Sequence, residues 1–472
     1  MASKAITRRR GTNQPRIRFD QKLVLFKWML RLFEVDSFMR LAEPLKPPEY
    51  EGFDEENISH YYHILTMRTV QREHLPTELL LLYDQNIVRH WKTITERRNR
   101  IEKRILYPKY FQYLSLLFSE IYLDRYFSAS NALLISLNQE VERLNDGKEE
   151  HDQVNPYQKS DLHKIAFWSA TGSGKTLIMH CNILQYKYYL KEHNKERGLN
   201  RIILLTPNEG LSKQHLDEFA LSGMDAELFD KDGRGLFAGK AVEIIDIHKL
   251  KDVSGEKTVA VESFENNNLV LVDEGHRGAS STEVGQWMQK RNQLSESGFS
   301  FEYSATFGQA IKASGSINLE MEYAKCILFD YSYKYFYKDG YGKQYNILNL
   351  QDDSDEEFKR KYLTASLVAF YEQQKIFADN NKEFNKYLIE KPLWVFVGAS
   401  VNAVRTENRR QVSDVVDILL FLSEFITNNK QAIEYITSLI EGSSALLDDR
   451  GRDLFSSSFK YLSKIGLSSD EV

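Results

Sequence analysis

The fold class of this chain is decided by one stretch of sequence, Ser169-Ala170-Thr171-Gly172-Ser173-Gly174-Lys175-Thr176. It directly follows the apolar run 165–168 and opens a segment, 175–189, that apolar spacing predicts to be a helix. Glycines between a strand and a helix let backbone N–H groups turn toward phosphate oxygens, and the helix N-terminus adds a favourable dipole. The sequence therefore predicts a nucleotide phosphate loop, although the strict pattern has glycine where Ser169 stands.

Two side chains of this loop have distinct predicted roles. Lys175 is expected to neutralise phosphate charge, and the hydroxyl of Thr176 is expected to ligate Mg²⁺. A glycine-rich turn followed by a chance Lys-Thr pair is the alternative, which the flanking strand and helix disfavour. The residues predicted to bind ATP in this loop are Thr171, Gly172, Ser173, Gly174, Lys175 and Thr176.

Strands and helices are predicted to alternate from the phosphate loop onward. Apolar runs predict strands at 165–168, 201–206, 242–247 and 269–272, with helices at 175–189 and 212–221. Such alternation is typical of a parallel sheet with helices on its faces. We therefore predict an α/β fold.

An acidic pair, Asp273-Glu274, ends the apolar run 269–272. Because the carboxyl ends of parallel strands meet at one edge of a sheet, the pair should emerge beside the phosphate loop. There Asp273 is expected to bind Mg²⁺, directly or through water, and Glu274 to orient and deprotonate the attacking water. Taken alone, the pair could instead cap the following helix.

The ordered set of motifs resembles the motor of superfamily 2 helicases. The phosphate loop is followed by Leu205-Thr206-Pro207, by Asp273-Glu274-Gly275-His276 and by Ser304-Ala305-Thr306. Gly275 replaces the alanine of the DEAH form, and this variant resembles the motor, or restriction, subunits of type III restriction enzymes and related defence helicases. The stretch 394–401 similarly resembles the opening strand of a second motor lobe. The resemblance covers about residues 107–460.

The resemblance implies roles for the later motifs. Thr206 and Pro207 would contact the nucleic-acid backbone. The triplet Ser304, Ala305 and Thr306 would couple the ATP state to the grip on the strand through His276. The implied catalytic set is Lys175, Asp273, Glu274 and His276.

A glutamine that reads adenine is also expected before the phosphate loop in this family. Two residues, Gln112 and Gln158, are candidates. Gln112 is favoured because it follows aromatic residues at the start of a helix, whereas no helix fits between Gln158 and the next strand. The choice between them stays open at this point.

Apolar spacing along the chain, together with the resemblance, predicts the domain organisation. A helical region is expected at 1–105, a first RecA-like ATP-binding lobe at 106–329, and the beginning of an incomplete second RecA-like lobe at 330–472. In the last region, strands are expected at 344–350 and 393–397 and helices at 356–380 and 412–426.

The expected second lobe has fewer residues than a complete motor lobe needs. The sequence shows no good candidate for the arginine motif that such a lobe brings to the γ-phosphate, and a lobe of this type needs on the order of 150 residues. The chain is therefore expected to be the front portion of a longer motor, whose remainder could include a nuclease domain.

Composition limits the class of protein further. The 472 residues are 42% hydrophobic, which is an ordinary globular balance, and two cysteines cannot form a disulfide framework. No signal peptide or membrane span is evident, so a cytoplasmic protein without membrane contact is expected. A net charge of −5 argues against coating nucleic acid by bulk charge, and any such contact should be local.

The expected function is an ATP- and Mg²⁺-dependent DNA helicase or translocase, an ATP hydrolase of a type III restriction-modification or related defence enzyme. DNA is favoured over RNA as the nucleic acid, and a methyltransferase or specificity subunit is a candidate partner. Two alternatives stay open: an RNA helicase, and a nucleotide-gated binding module without turnover. Intact Asp273 and Glu274 disfavour an inactive site, whereas the missing arginine motif favours poor turnover by this chain alone.

Overall fold

The computed structural model describes residues 18–67, 74–229, 242–251, 259–275, 284–342, 348, 356–387, 389–397, 405–407, 410–412, 414–448, 451–456 and 458–472. The chain divides into two compact units, Met1–Lys343 and Gln344–Val472. Among the described residues, no helix combines the length and the apolar character that crossing a bilayer requires.

Helices make up most of the described chain before the phosphate loop. They are α1 (Val24–Leu32), α2 (Phe38–Ala42), α3 (His60–Met67), α4 (Thr77–Glu102) and α5 (Tyr110–Asn145). Helix α5 is kinked at Ala129, whose φ of −149° and ψ of 52° are not helical. Helix α5 contributes to the main hydrophobic core from Tyr110 to Leu144, together with α1 and α4.

A sheet of seven parallel strands confirms the predicted α/β fold. The described strands of the first unit are β1 (Lys164–Ser169), β2 (Ile202–Thr206), β3 (Ala226–Leu228), β4 (Val242–Asp246), β5 (Leu250–Lys251), β6 (Val259–Ala260), β7 (Leu269–Asp273), β8 (Phe299–Ser304) and β9 (Ile327–Tyr331). The seven-stranded sheet has the order β3-β4-β2-β7-β8-β1-β9, and all its neighbours are parallel. Strands β5 and β6 form a separate short pair.

Both faces of the sheet are covered, which explains the continuous apolar runs in its strands. Ile202 and Leu204 enter the large core cluster, while Ile203 and Leu205 enter a second cluster with Leu294. Alternate side chains of a strand point to opposite faces, so no polar face is left to water. The helices of this α/β part are α6 (Lys175–Glu192), α7 (Glu209–Leu221), α8 (Val284–Leu294), α9 (Phe307–Ser314), α10 (Ile317–Cys326) and α11 (Tyr333–Lys338).

The N-terminal helices and the sheet share one core. Phe26 of α1 and Phe118 of α5 both contact Phe329 of β9, with ring centroids 6.3 and 5.5 Å apart. The predicted boundary after residue 329 falls inside β9, which pairs with β1. The first unit therefore continues past that boundary through α11, because β9 completes the sheet.

The second unit is mainly helical in its described residues. It contains α12 (Glu356–Asp379), α13 (Asn381–Asn385), α14 (Asp414–Thr427), α15 (Asn429–Ile440) and α16 (Lys460–Ile465), with an antiparallel pair, β10 (Arg405–Glu407) and β11 (Arg410–Val412). Its hydrophobic cluster joins Val368 of α12, Leu439 of α15 and Leu462 of α16. Helices α12 and α14 correspond to those predicted at 356–380 and 412–426.

The strand predicted at 393–397 is not formed. This segment has no strand pairing among the described residues, and the side chains of Leu393 and Val397 are 82% and 92% exposed. Trp394 stacks on Phe370 of α12, with centroids 5.7 Å apart. A buried parallel strand needs hydrogen-bonded neighbours, so the prediction of a strand here is wrong. Most of 344–350 lies outside the described residues, and a second RecA-like lobe stays a prediction.

Candidate functional site

The phosphate loop lies at the carboxyl end of β1, and α6 begins at Lys175 directly after it. Gly172 and Gly174 have φ values of +86° and +83°, in the left-handed region that glycine adopts without a steric penalty. The Ala170 N–H donates to the Tyr331 carbonyl of β9 at 3.0 Å, which anchors the start of the loop. The backbone thus has the turn that the glycine spacing predicts.

The polar groups of the loop fit a nucleotide with its metal ion. Lys175 Nζ donates to the Ser169 carbonyl at a long 3.4 Å. The hydroxyls of Ser169 and Ser173 are buried and have no hydrogen-bond partner among the described residues. Buried polar groups are normally satisfied, and phosphate oxygens at a helix N-terminus would satisfy donors of this kind.

Gln112 lies directly against this loop. Its Nε2 donates to the Ser173 carbonyl at 3.0 Å, and its Oε1 accepts from the Lys109 N–H at 2.9 Å. A Cβ on Gly174 would lie only 2.2 Å from Gln112 Nε2, so the contact itself requires glycine there. Gln158, by contrast, is exposed and precedes the short 3-10 turn that leads into β1. The structure thus brings Gln112 to the loop, and its reading of adenine stays a prediction.

Asp273 is the last residue of β7, at the same edge of the sheet. Its Oδ2 lies 2.9 Å from His215 Nε2, and its Oδ1 accepts from the Glu274 N–H at 3.0 Å. Burial alone would raise the pKa of Asp273, but the hydrogen bond and charge of His215, together with Lys175, outweigh it and lower the pKa. Asp273 is therefore an ionised carboxylate, as a Mg²⁺ ligand must be.

Glu274 has a φ of +53°, which is uncommon for a residue other than glycine. The chain after Glu274 is held in place, since the Gly275 N–H donates to the Tyr303 carbonyl at 2.9 Å. Non-glycine residues in such conformations concentrate at functional sites. His276, the remaining member of the implied catalytic set, lies outside the described residues.

The structure gives a physical reason for glycine at 275, where the DEAH form has alanine. A Cβ at this position would lie 3.1 Å from Glu302 Oε2 and 3.4 Å from Phe307. The Gly275 carbonyl also accepts from Arg291 Nη1 at 2.8 Å, which fixes the backbone against these neighbours. A side chain there would have to displace buried groups.

Thr206 and Pro207 lie in the interior rather than on the surface. The Thr206 hydroxyl bonds to the Ser212 hydroxyl at 2.6 Å. Both residues line a small cleft together with Asp273 and Glu274, so the strand end and the acidic pair are neighbours. The exposed residues at this strand end are 208–210, and contact of Thr206 and Pro207 with nucleic acid stays a prediction.

The triplet Ser304-Ala305-Thr306 connects β8 to α9. The Thr306 N–H donates to Ser304 Oγ at 3.0 Å, and the Thr306 hydroxyl is buried without a partner in the described part of the chain. The Ala305 carbonyl accepts from Trp168 Nε1 at 3.1 Å. Because Trp168 lies near the end of β1, just before the phosphate loop, this bond links the strand that leads into the loop to the triplet.

Sequence reasoning missed two residues of the site, His215 and Trp168. The buried face of α7 consists of Ser212, His215 and Phe219. Helical spacing connects these three, but two of them are polar, so an apolar pattern does not identify the face. For Trp168, an aromatic residue in a buried strand gives no signal that its indole N–H reaches another motif.

Residues 129–309 match the model of the family described as "Type III restriction enzyme, res subunit". Among curated proteins, none matches the chain. The matched segment contains every predicted site residue except Gln112. The predicted resemblance to the superfamily 2 motor of type III restriction enzymes is therefore confirmed for this segment, and the match supports a helicase-like P-loop domain there.

Proposed function

We propose that this chain is an ATP- and Mg²⁺-dependent DNA helicase or translocase motor of a type III restriction-modification or related defence enzyme. The observation that carries the proposal is the meeting of the phosphate loop and the Asp273-Glu274 pair at one edge of a parallel sheet, inside the segment that matches the family. DNA as the nucleic acid and a methyltransferase or specificity subunit as partner are supported by the same family match. A cytoplasmic location is proposed on the same basis.

Each residue of the site has a separate proposed role in ATP hydrolysis. Thr176 and Asp273 would hold Mg²⁺, which when bound neutralises phosphate charge and so assists attack on the γ-phosphate. Lys175 and the backbone N–H groups of the loop bind and orient the phosphates. Glu274, next to the metal-holding carboxylate, orients the attacking water and accepts its proton.

Communication with the nucleic acid would use the link between β1 and the triplet. The Trp168 hydrogen bond to Ala305 ties a residue beside the phosphate loop to the segment that the resemblance assigns to coupling. Movement of the loop as the nucleotide changes therefore reaches Ala305 directly. Thr206, whose cleft also contains Asp273, lies on the other side of the acidic pair.

Replacing Lys175 tests the proposal. Lys175→Ala should lower DNA-stimulated ATP hydrolysis on the order of 100-fold or more, because the phosphates lose a charge partner as negative charge develops. Phosphate release with and without duplex DNA measures this. Lys213→Ala is the matched control, since Lys213 is exposed on α7 and pairs with Glu209 at 3.0 Å.

Three results would change the assignment. Unchanged turnover in the Lys175 variant contradicts an ATPase at this loop. Stimulation of the wild type by RNA and not by duplex DNA favours the RNA helicase. Tight ATP binding by the wild type without turnover favours the nucleotide-gated binding module.

A further inference from the structure

A buried histidine outside the recognised motifs contacts the carboxylate proposed to hold Mg²⁺. His215 lies on α7 and is 4% exposed. Its Nε2 is 2.9 Å from Asp273 Oδ2. Its other ring nitrogen, Nδ1, is buried without a hydrogen-bond partner among the described residues. Among the described residues, it is therefore the contact with Asp273 that orients the His215 ring.

Helix α7 is fixed to the strand end at Thr206 as well as to Asp273. Asn208 caps the helix, its Oδ1 accepting from the Leu211 N–H at 2.9 Å. Ser212, on the same buried face as His215, bonds to the Thr206 hydroxyl at 2.6 Å. The position of the His215 ring is therefore set by a helix that is itself tied to β2.

A second buried histidine, His180, lies near His215. His180 of α6 stacks on Phe219 of α7 with centroids 4.1 Å apart, and its Nδ1 lies 2.8 Å from Ser222 Oγ. Burial, with smaller contributions from the neighbouring His215 and Arg98, lowers the pKa of His180 to about 3. His180 is therefore a neutral residue that packs on Phe219 of α7, and its neutral state adds no second positive charge near Asp273.

We propose that His215 is a positioning residue that orients the Asp273 carboxylate for Mg²⁺. Its hydrogen bond fixes Oδ2, while the Glu274 N–H fixes Oδ1, so the carboxylate is held at both oxygens with lone pairs left for the metal or its water. Residues that orient a metal ligand commonly change metal affinity or activity by about 10- to 100-fold. The inference rests on the proposed function, because it assumes that Asp273 holds Mg²⁺.

Variants of His215 in the full chain test this role. His215→Phe keeps a ring but removes the donor, so the Mg²⁺ concentration for half-maximal ATPase should rise about tenfold or more. His215→Gln places an amide near the position of Nε2 and should restore most of the wild-type value. His90→Phe is the control, because His90 is a buried histidine of α4 that is not part of the site.

A second readout does not depend on turnover. The affinity for a fluorescent ADP analogue is measured in Mg²⁺ and in EDTA. His215→Phe should lose the part of the affinity that depends on Mg²⁺ and keep the affinity measured in EDTA. A variant that merely loosens the fold would weaken both.

The outcomes separate this inference from the proposed function. If the wild type neither binds the analogue nor hydrolyses ATP, the proposed function fails. If the wild type is active and folded His215→Phe has the same Mg²⁺ dependence, the positioning role alone is wrong. Should His215→Phe not fold, His215→Gln and His215→Asn decide, because the Asn amide mimics Nδ1 and does not reach Asp273. Equal Mg²⁺ dependence of those two variants contradicts the proposal.

Discussion

Glu302 and Glu120 are both fully buried in the first unit, yet their surroundings give them opposite preferences for charge. Burial alone raises the pKa of each carboxyl. At Glu302, Lys164 and Arg291 outweigh burial and lower the pKa. At Glu120, burial outweighs uncharged hydrogen-bond partners and a smaller contribution from the charge of Arg89, and the pKa is raised to about 7. The charge of the partners, rather than the depth of burial, decides the state of a buried carboxyl.

The Glu302 network lies directly behind the acidic pair of the site. Glu302 Oε2 accepts from the Tyr323 hydroxyl at 2.6 Å and lies 3.5 Å from Arg291 Nη1, while Oε1 lies 3.3 Å from Lys164 Nζ. Arg291 also donates to the Gly275 carbonyl at 2.8 Å, and the Tyr323 hydroxyl oxygen lies 3.2 Å from the same carbonyl. The buried ion-pair network of Glu302 thus fixes the backbone at Gly275, directly after Glu274.

The Glu120 network instead supports the helix of the phosphate loop. Glu120 of α5 accepts from Gln185 and Tyr189 of α6, each at 2.7 Å, and from Asn86 of α4 at 3.2 Å. These donors lower the pKa of Glu120, but less than burial raises it. The comparison predicts that the two networks respond differently to loss of a partner and to pH.

Removal of Arg291 should have the largest effect. Arg291→Met leaves buried Glu302 short of a cation, and breaking a buried pair in this way costs about 3–5 kcal/mol of the free energy of unfolding. Urea unfolding of the full chain, followed by tryptophan fluorescence, measures the loss. Arg40→Met is the matched control, because the exposed Arg40–Asp36 pair is worth at most about 1 kcal/mol. Equal losses in the two variants would show that Glu302 does not depend on its cation.

The Glu120 network should respond to pH. Its folded pKa of about 7 lies above the ordinary 4.5, so the folded state binds the extra proton between those values. The contribution of Glu120 to the free energy of unfolding therefore falls as pH rises from 4.5 to about 7, and it is constant above pH 7. Glu120→Gln removes this dependence. From pH 5 to pH 8 it should gain stability relative to the wild type on the order of 3 kcal/mol.

Glu302→Gln supplies the opposite case for the same measurement. Because the folded pKa of Glu302 is lowered, its contribution is present above the ordinary 4.5 and is lost only as pH falls below it. Between pH 5 and pH 8, the difference from the wild type should thus stay constant. Urea midpoints at both pH values measure the two variants side by side. A Glu120→Gln curve parallel to the wild type would refute the raised pKa.

The sequence predicted the features that depend on neighbouring residues. The phosphate loop and the acidic pair are contiguous, and a strand before each one is visible as an unbroken apolar run. Strand β8 was not predicted, because the predicted strands were all identified from apolar runs. Phe299–Ser304 instead alternates apolar and polar residues, a pattern typical of a strand with one exposed face. All six are buried, since Glu302 is neutralised by Lys164 and Arg291 from other parts of the chain.

The segment 393–397 shows the opposite failure. Its apolar run satisfies the pattern of a buried strand, but strand formation also requires a neighbour to pair with, and a local pattern contains no information about that neighbour. His215 is similar, because its contact with Asp273 joins residues 58 positions apart. Fold class and motifs were therefore predictable, whereas pairing partners and supporting contacts were not.

The smallest effect should come from Gly275→Ala, which tests whether the Glu302 network is as rigid as its ion pairs imply. The added Cβ would lie 3.1 Å from Glu302 Oε2, and Glu302 is held on both sides by Lys164 and Arg291. Overpacking against such a group should lower the free energy of unfolding by about 1 kcal/mol. Thermal unfolding of the full chain measures this.

Gly198→Ala is the matched control for this substitution, because a Cβ on Gly198 meets nothing within 4 Å. That variant should show no loss, or a gain below about 1 kcal/mol from the reduced freedom of the unfolded chain. If Gly275→Ala also shows no loss, then Glu302 moves away from the new methyl group. In that case the ion pairs of Glu302 do not hold it rigidly against an added methyl group, and crowding by Glu302 does not account for glycine at position 275.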